Sequence, residues 1–307
     1  MKKSLCMSAL ILVVLISSVA VMAAEPVKIG LSMNTLNNPF FVTVVEGANA
    51  KAKELGVRLI VVDAQNDPGK EITNIENLIM QKVDVLILDP SDSDSIVPSV
   101  EAANKAGIPV MTIDRKSNGG NVITHIGFDA IRSGNIAGQF LVDALNGKGK
   151  IVELMGIMGT SVAQDRSKGF NQIMGKNPGM VVIAKQTANF DRGQAMSVME
   201  DILQAHPHID GIYAANDEMA MGALAAIEAA GRLDEITMIG CDAIDPALEA
   251  IRAGKLEGTI AEPPFFLGKA AVETAYGIYQ GQSFEKEIVL QNQLVTLDNI
   301  DVIKTRD

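Results

Sequence analysis

The sequence predicts an α/β protein built as two domains, and three observations carry that expectation. Apolar runs of strand length alternate with helical periodicities from end to end. Several runs, such as residues 83–89 (VDVLILD) and 108–114 (IPVMTID), are apolar on both faces, the pattern of parallel strands covered by helices on either side. The chain has 307 residues, enough for two domains of ordinary size.

The first 24 residues read as an export signal. Lys2 and Lys3 precede an apolar core at residues 9–16 (ALILVVLI), and Val21, Met22 and Ala23 lead to a cleavage point after Ala23 or Ala24. That core is shorter than the roughly 20 residues a membrane helix needs, so the expected fate is soluble release. Only Cys241 remains after cleavage, which rules out an internal disulfide. Removing Lys2 and Lys3 from 26 basic residues leaves 24 against 37 acidic ones, a formal balance of −13. Such a surface repels nucleic acid and anionic membranes.

The mature chain opens with an apolar strand at residues 27–33. The next stretch, Thr35-Leu36-Asn37-Asn38-Pro39-Phe40-Phe41, leads into a helix with apolar Phe41, Val45, Ala48, Ala52 and Leu55 on one face. Asn38 suits the N-cap and Pro39 the first helical position, so amides and two rings gather where backbone N–H groups are exposed. Strand 58–63, helix 70–81, strand 83–89, helix 94–106 and strand 109–113 follow, then a short run at 123–127 and a helix at 130–145. The second half repeats the pattern: strand 150–155, helix 164–174, strand 181–186, helix 192–206, strand 211–214, helix 217–230 and strand 237–240. A helix near 265–279 and an extended tail containing Val289, Leu290, Leu294 and Val295 complete the chain. With no low-complexity linker, the halves are expected to join through short extended segments that act as hinges.

In open parallel sheets, ligands bind beyond the carboxyl ends of the strands. The residues at those ends are Asn34, Asn38, Asp89, Asp114, Arg115, Gly159 to Ser161, Asn216, Asp217, Asp242 and Glu262. Carboxylates, guanidinium groups and amides suit a polyhydroxylated ligand, whose hydroxyls donate to the first and accept from the others. Phe40, Phe41 and Phe190 offer flat apolar faces for the C–H side of a ring. A single Asp at a strand end is also a common helix cap, but the adjacent Asp114 and Arg115 closing an apolar strand make poor loop filler. Residues 155–159 (MGIMG) lack the spacing of a phosphate loop. No histidine cluster with metal-ligand spacing emerges, Cys241 has an acidic neighbour, Asp242, that disfavours its thiolate and no His nearby in sequence, and no cofactor is expected.

Certain motifs together carry a resemblance: TLNNPFF at 35–41, DPSDSD at 89–94, TIDR at 112–115, GTS at 159–161, NFDR at 189–192 and AANDEMAMGA at 214–223. Over essentially the whole mature chain the protein resembles periplasmic sugar-binding proteins of the ribose-binding type, the soluble receptors of ABC importers. The resemblance implies two Rossmann-like lobes with parallel sheets, joined by three hinge crossings near 127–129, 259–262 and 289–292. Residues 25–127 with 263–290 would form the N-terminal lobe, and 128–262 with 291–307 the other. It also implies a binding site with Asn38, Phe40, Phe41, Asp114 and Arg115 from the first lobe and Arg166, Phe190, Asn216 and Asp242 from the second. Phe41 and Phe190 would sandwich a sugar ring, the two arginines would donate to its hydroxyls, and the two aspartates would accept. Asn34 and Glu262 depart from the ribose binders, which carry a small hydroxyl residue and a Gln there, and are expected to meet the ligand and alter its identity.

The implied protein is a periplasmic monomer that catalyses nothing, closes on a pentose, small hexose or related polyol, and presents it to the transmembrane subunits of a permease. A sensor feeding a chemoreceptor, or detecting a furanose-like signal, is the alternative within the same class. A secreted carbohydrate-active enzyme would instead need a general acid and base pair. A sugar-responsive repressor would open with a helix-turn-helix where this chain has its export signal.

Overall fold

The computed structural model describes residues 25–303; the expected export signal at 1–24 lies outside them. Two six-stranded sheets form separate α/β lobes. In the first sheet the strands are β1 (Lys28–Met33), β2 (Arg58–Asp63), β3 (Val85–Leu88), β4 (Val110–Ile113), β5 (His125–Phe128) and β11 (Glu287–Leu290). They run in the order β11-β5-β4-β3-β1-β2, all parallel. The second sheet holds β6 (Gly149–Met155), β7 (Met180–Thr187), β8 (Gly211–Ala214), β9 (Thr237–Asp242), β10 (Gly258–Ala261) and β12 (Gln293–Val295). Its order is β12-β10-β9-β8-β6-β7, parallel except for β12, which runs antiparallel to β10.

Helices α1 (Pro39–Leu55), α2 (Pro68–Met80), α3 (Val97–Lys105) and α9 (Pro264–Tyr279) cover the first sheet. Helices α4 (Ala130–Ala144), α5 (Ser161–Met174), α6 (Arg192–Ala205), α7 (Asp217–Ala229) and α8 (Asp245–Arg252) cover the second. The central strands β3, β4 and β8 are buried throughout, as their two-sided apolar runs require. None of the described helices is long and apolar enough to cross a membrane.

The expected elements are present, with ends shifted by two residues or more at α2, α3, α5, β3, β5 and β9. Asp92 Oδ1 accepts from the backbone N–H groups of Asp94 and Ser95 and holds a turn there, so α3 begins at Val97 with Pro98 in its first turn. Thr160 caps α5 by accepting from Ala163, so that helix starts at Ser161 rather than Gln164. Helix α2 likewise starts at Pro68, capped by Asp67, and β9 continues to Asp242, two residues past Gly240. Residues 243–261 add α8 and β10, of which only the strand end at Glu262 was expected.

Three segments carry the chain between the lobes: Asp129 between β5 and α4, Glu262 and Pro263 between β10 and α9, and Gln291 and Asn292 between β11 and β12. The lobes are in contact across the cleft. Ser93 N–H donates to the Gly159 carbonyl at 2.9 Å, Ser161 N–H donates to Ser93 Oγ at 3.2 Å, and Lys116 N–H donates to Ser161 Oγ at 2.9 Å.

Candidate functional site

Between the lobes, at the carboxyl ends of both sheets, lies a cleft of about 280 Å³, counting its opening to solvent, lined by Asn38, Phe40, Phe41, Asp114, Arg115, Val162, Arg166, Phe190, Asn216 and Asp242. Nine of the eleven residues singled out from sequence line this space, and the two lobes contribute matching sets.

The amides come first. Asn38 and Asn216 are the N-caps of α1 and α7; their side-chain oxygens accept from Phe40 N–H at 2.9 Å and Met219 N–H at 3.0 Å. With each oxygen committed to the helix end, the amide N–H₂ is the group left to face the cleft.

The carboxylates stand at strand ends in strained backbone. Asp114 has a φ of 52° and Asp242 a φ of 121°, values that side chains with a β-carbon rarely adopt. At Asp114 the cause is a tight turn in which Arg115 N–H donates to the Ile113 carbonyl at 2.5 Å. Such strain persists where the surroundings impose it, and it clusters at functional sites. Burial pushes the Asp114 carboxyl above its ordinary range despite Arg115 and Arg166, and pushes Asp242 well above despite Arg166. Carboxyl groups so poorly hydrated require hydrogen-bond donors.

Arg115 places its guanidinium 5.4 Å from the centre of the Phe41 ring and 5.6 Å from that of Phe190, so rings from both lobes meet one cation. Phe41 packs edge-on against Phe40, with centroids 5.2 Å apart. Phe190 and the preceding Asn189 both have left-handed backbone, φ 58° and 54°. The Phe190 ring lies directly over Gly156, where any β-carbon would collide with it. The glycine after β6 is therefore a seat for the ring.

Arg166 rises from α5. Its Nη1 donates to the Ala215 carbonyl at 2.6 Å, and its Nη2 donates to Asp242 at 3.2 Å and to Glu262 at 2.5 Å. Two glycines permit this. Gly134 on α4 and Gly169 on α5 each lie where a β-carbon would strike the opposite backbone, so the helices touch main chain to main chain and bring Arg166 against the start of α4.

Asn34 and Glu262 lie behind the lining instead of in it. Asn34 is fully buried and its Nδ2 donates to Asp89 Oδ2 at 2.6 Å. Glu262 directs one oxygen to Arg166 and the other to Ser133. Both expected ligand contacts are thus already engaged by protein partners that come from elsewhere in the sequence. Asp89, noted as a strand end but given no ligand role, stands with Asp114 and Arg115 close enough to shift its carboxyl. Burial pushes that carboxyl well up, Asp114 adds to the shift and Arg115 opposes it. Val162, in the first turn of α5, is a lining residue with no polar signature to reveal it.

Cys241, Asp242 and Glu262 lie within reach of a common point, but the Arg166 guanidinium already bridges the two carboxylates and repels a metal cation. Burial pushes the Cys241 thiol well up, away from the reactive thiolate.

Comparison with known proteins agrees with this architecture. Residues 29–283 match the family described as the periplasmic binding protein domain. The chain is 43% identical over 268 residues to the ribose import binding protein of Bacillus subtilis, covering 87% of each. It is 32% identical to a xylitol-binding protein of Mycolicibacterium smegmatis, covering 90% of this chain and 78% of that one. A solved structure of an ABC transporter solute-binding protein from Bacillus halodurans C-125, with bound myo-inositol, superposes with a TM-score of 0.87 at 32% identity, covering 92% of this chain and 98% of the other. The two parallel-dominated lobes, the three crossings and the cleft between them are those of a type I periplasmic binding protein, and the chain belongs to the periplasmic binding protein family.

Proposed function

We propose that this protein is the extracytoplasmic receptor of an ABC importer, and that it binds a neutral monosaccharide or polyol between its lobes for delivery to a membrane permease. The observation that carries the reading is the matched set of amide, carboxylate and guanidinium groups, with ring faces from both lobes, around one cleft between the lobes. Asp114 and Asp242 accept from ligand hydroxyls, Asn38, Asn216, Arg115 and Arg166 donate to them, and Phe41 and Phe190 cover the apolar face of the ring. The named ligands of the relatives support the same chemistry: ribose, xylitol and myo-inositol are all neutral and rich in hydroxyls.

Residues 1–24 direct export to the periplasm and are removed. Among the described residues the lobes comprise 25–127 with 263–290, and 128–262 with 291–303, and the protein works as a monomer. A chemoreceptor, where one is engaged, reads the same closed form.

A thermal-shift panel of pentoses, hexoses, deoxy sugars, amino sugars, alditols and cyclitols tests the reading. A ligand at 100 times its Kd adds about 2.7 kcal/mol to stability, which such a scan detects. At least one neutral compound is expected to stabilise the protein, whereas sugar acids and sugar phosphates, run beside the panel, are expected not to, because Arg115 and Arg166 are already matched by Asp114, Asp242 and Glu262. Stabilisation by phosphorylated sugars alone, or turnover of any sugar in the panel, overturns the proposal.

A further inference from the structure

A single buried hydrogen-bond chain joins Arg166 in the cleft to all three crossings. Asn292, in the third crossing, donates from Nδ2 to the carbonyl of Asp129 in the first crossing at 2.9 Å, and to Ser133 Oγ at 2.8 Å. Ser133, one turn into α4, donates to Glu262 Oε1 at 2.5 Å. Glu262, in the second crossing, accepts from Arg166 Nη2 with its other oxygen, also at 2.5 Å. Ser133, Glu262, Arg166 and Asn292 are each at most 6% exposed.

Proton counting fixes the direction of this chain. The two N–H bonds of the Asn292 amide are spent on Asp129 and Ser133. The Ser133 hydroxyl carries one proton and receives one bond from Asn292, so its own proton goes to Glu262; the Asp129 carbonyl at 3.3 Å is the poorer alternative. Glu262 therefore receives a donor on each oxygen, a demand that a carboxylate meets and a carboxamide does not, because the N–H₂ of a Gln would face a donor.

We infer that Glu262 is a positioning residue that couples the cleft to the hinge, holding Arg166 in place with one oxygen and gathering the three crossings through Ser133 with the other. The inference rests on the receptor reading above and goes beyond it. Lobe rotation twists the backbone of all three crossings. Because one network spans them, a twist at one must break or remake bonds at the others, and the bond to Arg166 reports that change to the ligand. Here the lobes are in contact across the cleft and every bond of the network is made. Losing the network therefore weakens closure, even where no lining residue changes.

The test uses the mature protein with Ser133→Ala, Asn292→Ala, Glu262→Gln and the double variant Ser133→Ala with Glu262→Gln. Backbone hydrogen exchange needs no ligand and is read first. Ser133→Ala is expected to speed exchange at all three crossings, residues 128–130, 261–262 and 290–293. Acceleration confined to the start of α4 overturns the coupling whether or not a sugar has been found.

Affinity is read next, with whichever neutral sugar or polyol stabilises the wild type. Ser133→Ala and Asn292→Ala are each expected to weaken it by about threefold or more, through faster release, with the order of preference across the panel unchanged. Glu262→Gln is expected to weaken it about tenfold, and the double variant no further than Glu262→Gln alone. Full additivity, or wild-type affinity in both Ser133→Ala and Asn292→Ala, overturns the inference and leaves the receptor reading standing. A wild type that binds nothing in the panel overturns the receptor reading, and the exchange result then still decides whether the crossings are coupled.

Discussion

Asp114 and Asp242 occupy matching positions in the two lobes, each at the end of an apolar strand and each held at positive φ, 52° and 121°. The backbone strain and the burial of two carboxyl groups both work against stability, and both are expected where a ligand supplies the missing donors. Asp114→Ala is therefore expected to fold and to lose affinity for the cognate sugar about tenfold or more, since a hydrogen bond to a charged group contributes about 1.5–3 kcal/mol. Asp114→Asn is the companion variant, because an amide tolerates the left-handed backbone while removing the charge. Isothermal calorimetry that gives wild-type affinity for both would take Asp114 out of the site.

Closure should be visible in solution. The contacts of Ser93 with Gly159 and Ser161, and of Lys116 with Ser161, tie the lobes together across the cleft. The lining is shared so evenly that neither lobe alone removes a ligand from water. Small-angle scattering is expected to show a smaller radius of gyration at saturating sugar than without it. An unchanged radius would mean that the lobes do not move on binding.

The alternation of strands and helices was legible because apolar runs and helical periods are local properties, and so were the strand ends where the cleft residues stand. Which layer a strand-end side chain joins was not legible. Asn34 and Glu262 both stop a strand as expected, yet each turns to a partner far along the chain, 55 residues away at Asp89 and 96 residues away at Arg166. Whether a polar group faces ligand or protein depends on those distant neighbours. Helix α8 was not singled out although Ala247, Leu248, Ala250 and Ile251 form its buried face, and β10 was expected only through its end at Glu262. Val162 carried no chemistry to single it out.

Gly156 gives a way to test the ring contact without altering a residue that touches ligand. Its lack of a β-carbon lets the Phe190 ring lie flat over the end of β6. Gly156→Ala should displace that ring and weaken sugar binding roughly three- to tenfold, the range expected for loss of a stacked aromatic contact. Phe190→Ala should do at least as much, and combining the two should add little. Calorimetry showing full additivity would mean that Gly156 acts on binding by a route other than Phe190.

The last expectation concerns pH and stability through Glu71. This residue sits in the first turn of α2, is buried, and accepts from Ser91 N–H with both oxygens at 3.1 Å. Burial pushes its carboxyl from 4.5 up to about 7, the Ser91 N–H and Arg115 pulling it down and Asp92 adding to the rise; Asp89 is a further acidic neighbour. A raised value in the folded protein means that the native state holds the proton more tightly than the unfolded chain. The stability this contributes is fully present below about pH 4.5 and is lost as pH rises through about 7. Glu287 works in the opposite sense, because Lys116 lowers its carboxyl, so the wild-type profile alone does not isolate Glu71. Comparison with Glu71→Gln does, since the amide cannot ionise. Urea unfolding at pH 4.5 and pH 7.5 is expected to show the wild type losing about 1–3 kcal/mol more than the variant over that interval. Parallel profiles for the two proteins would show that the Glu71 carboxyl ionises in the fold as readily as it does in water.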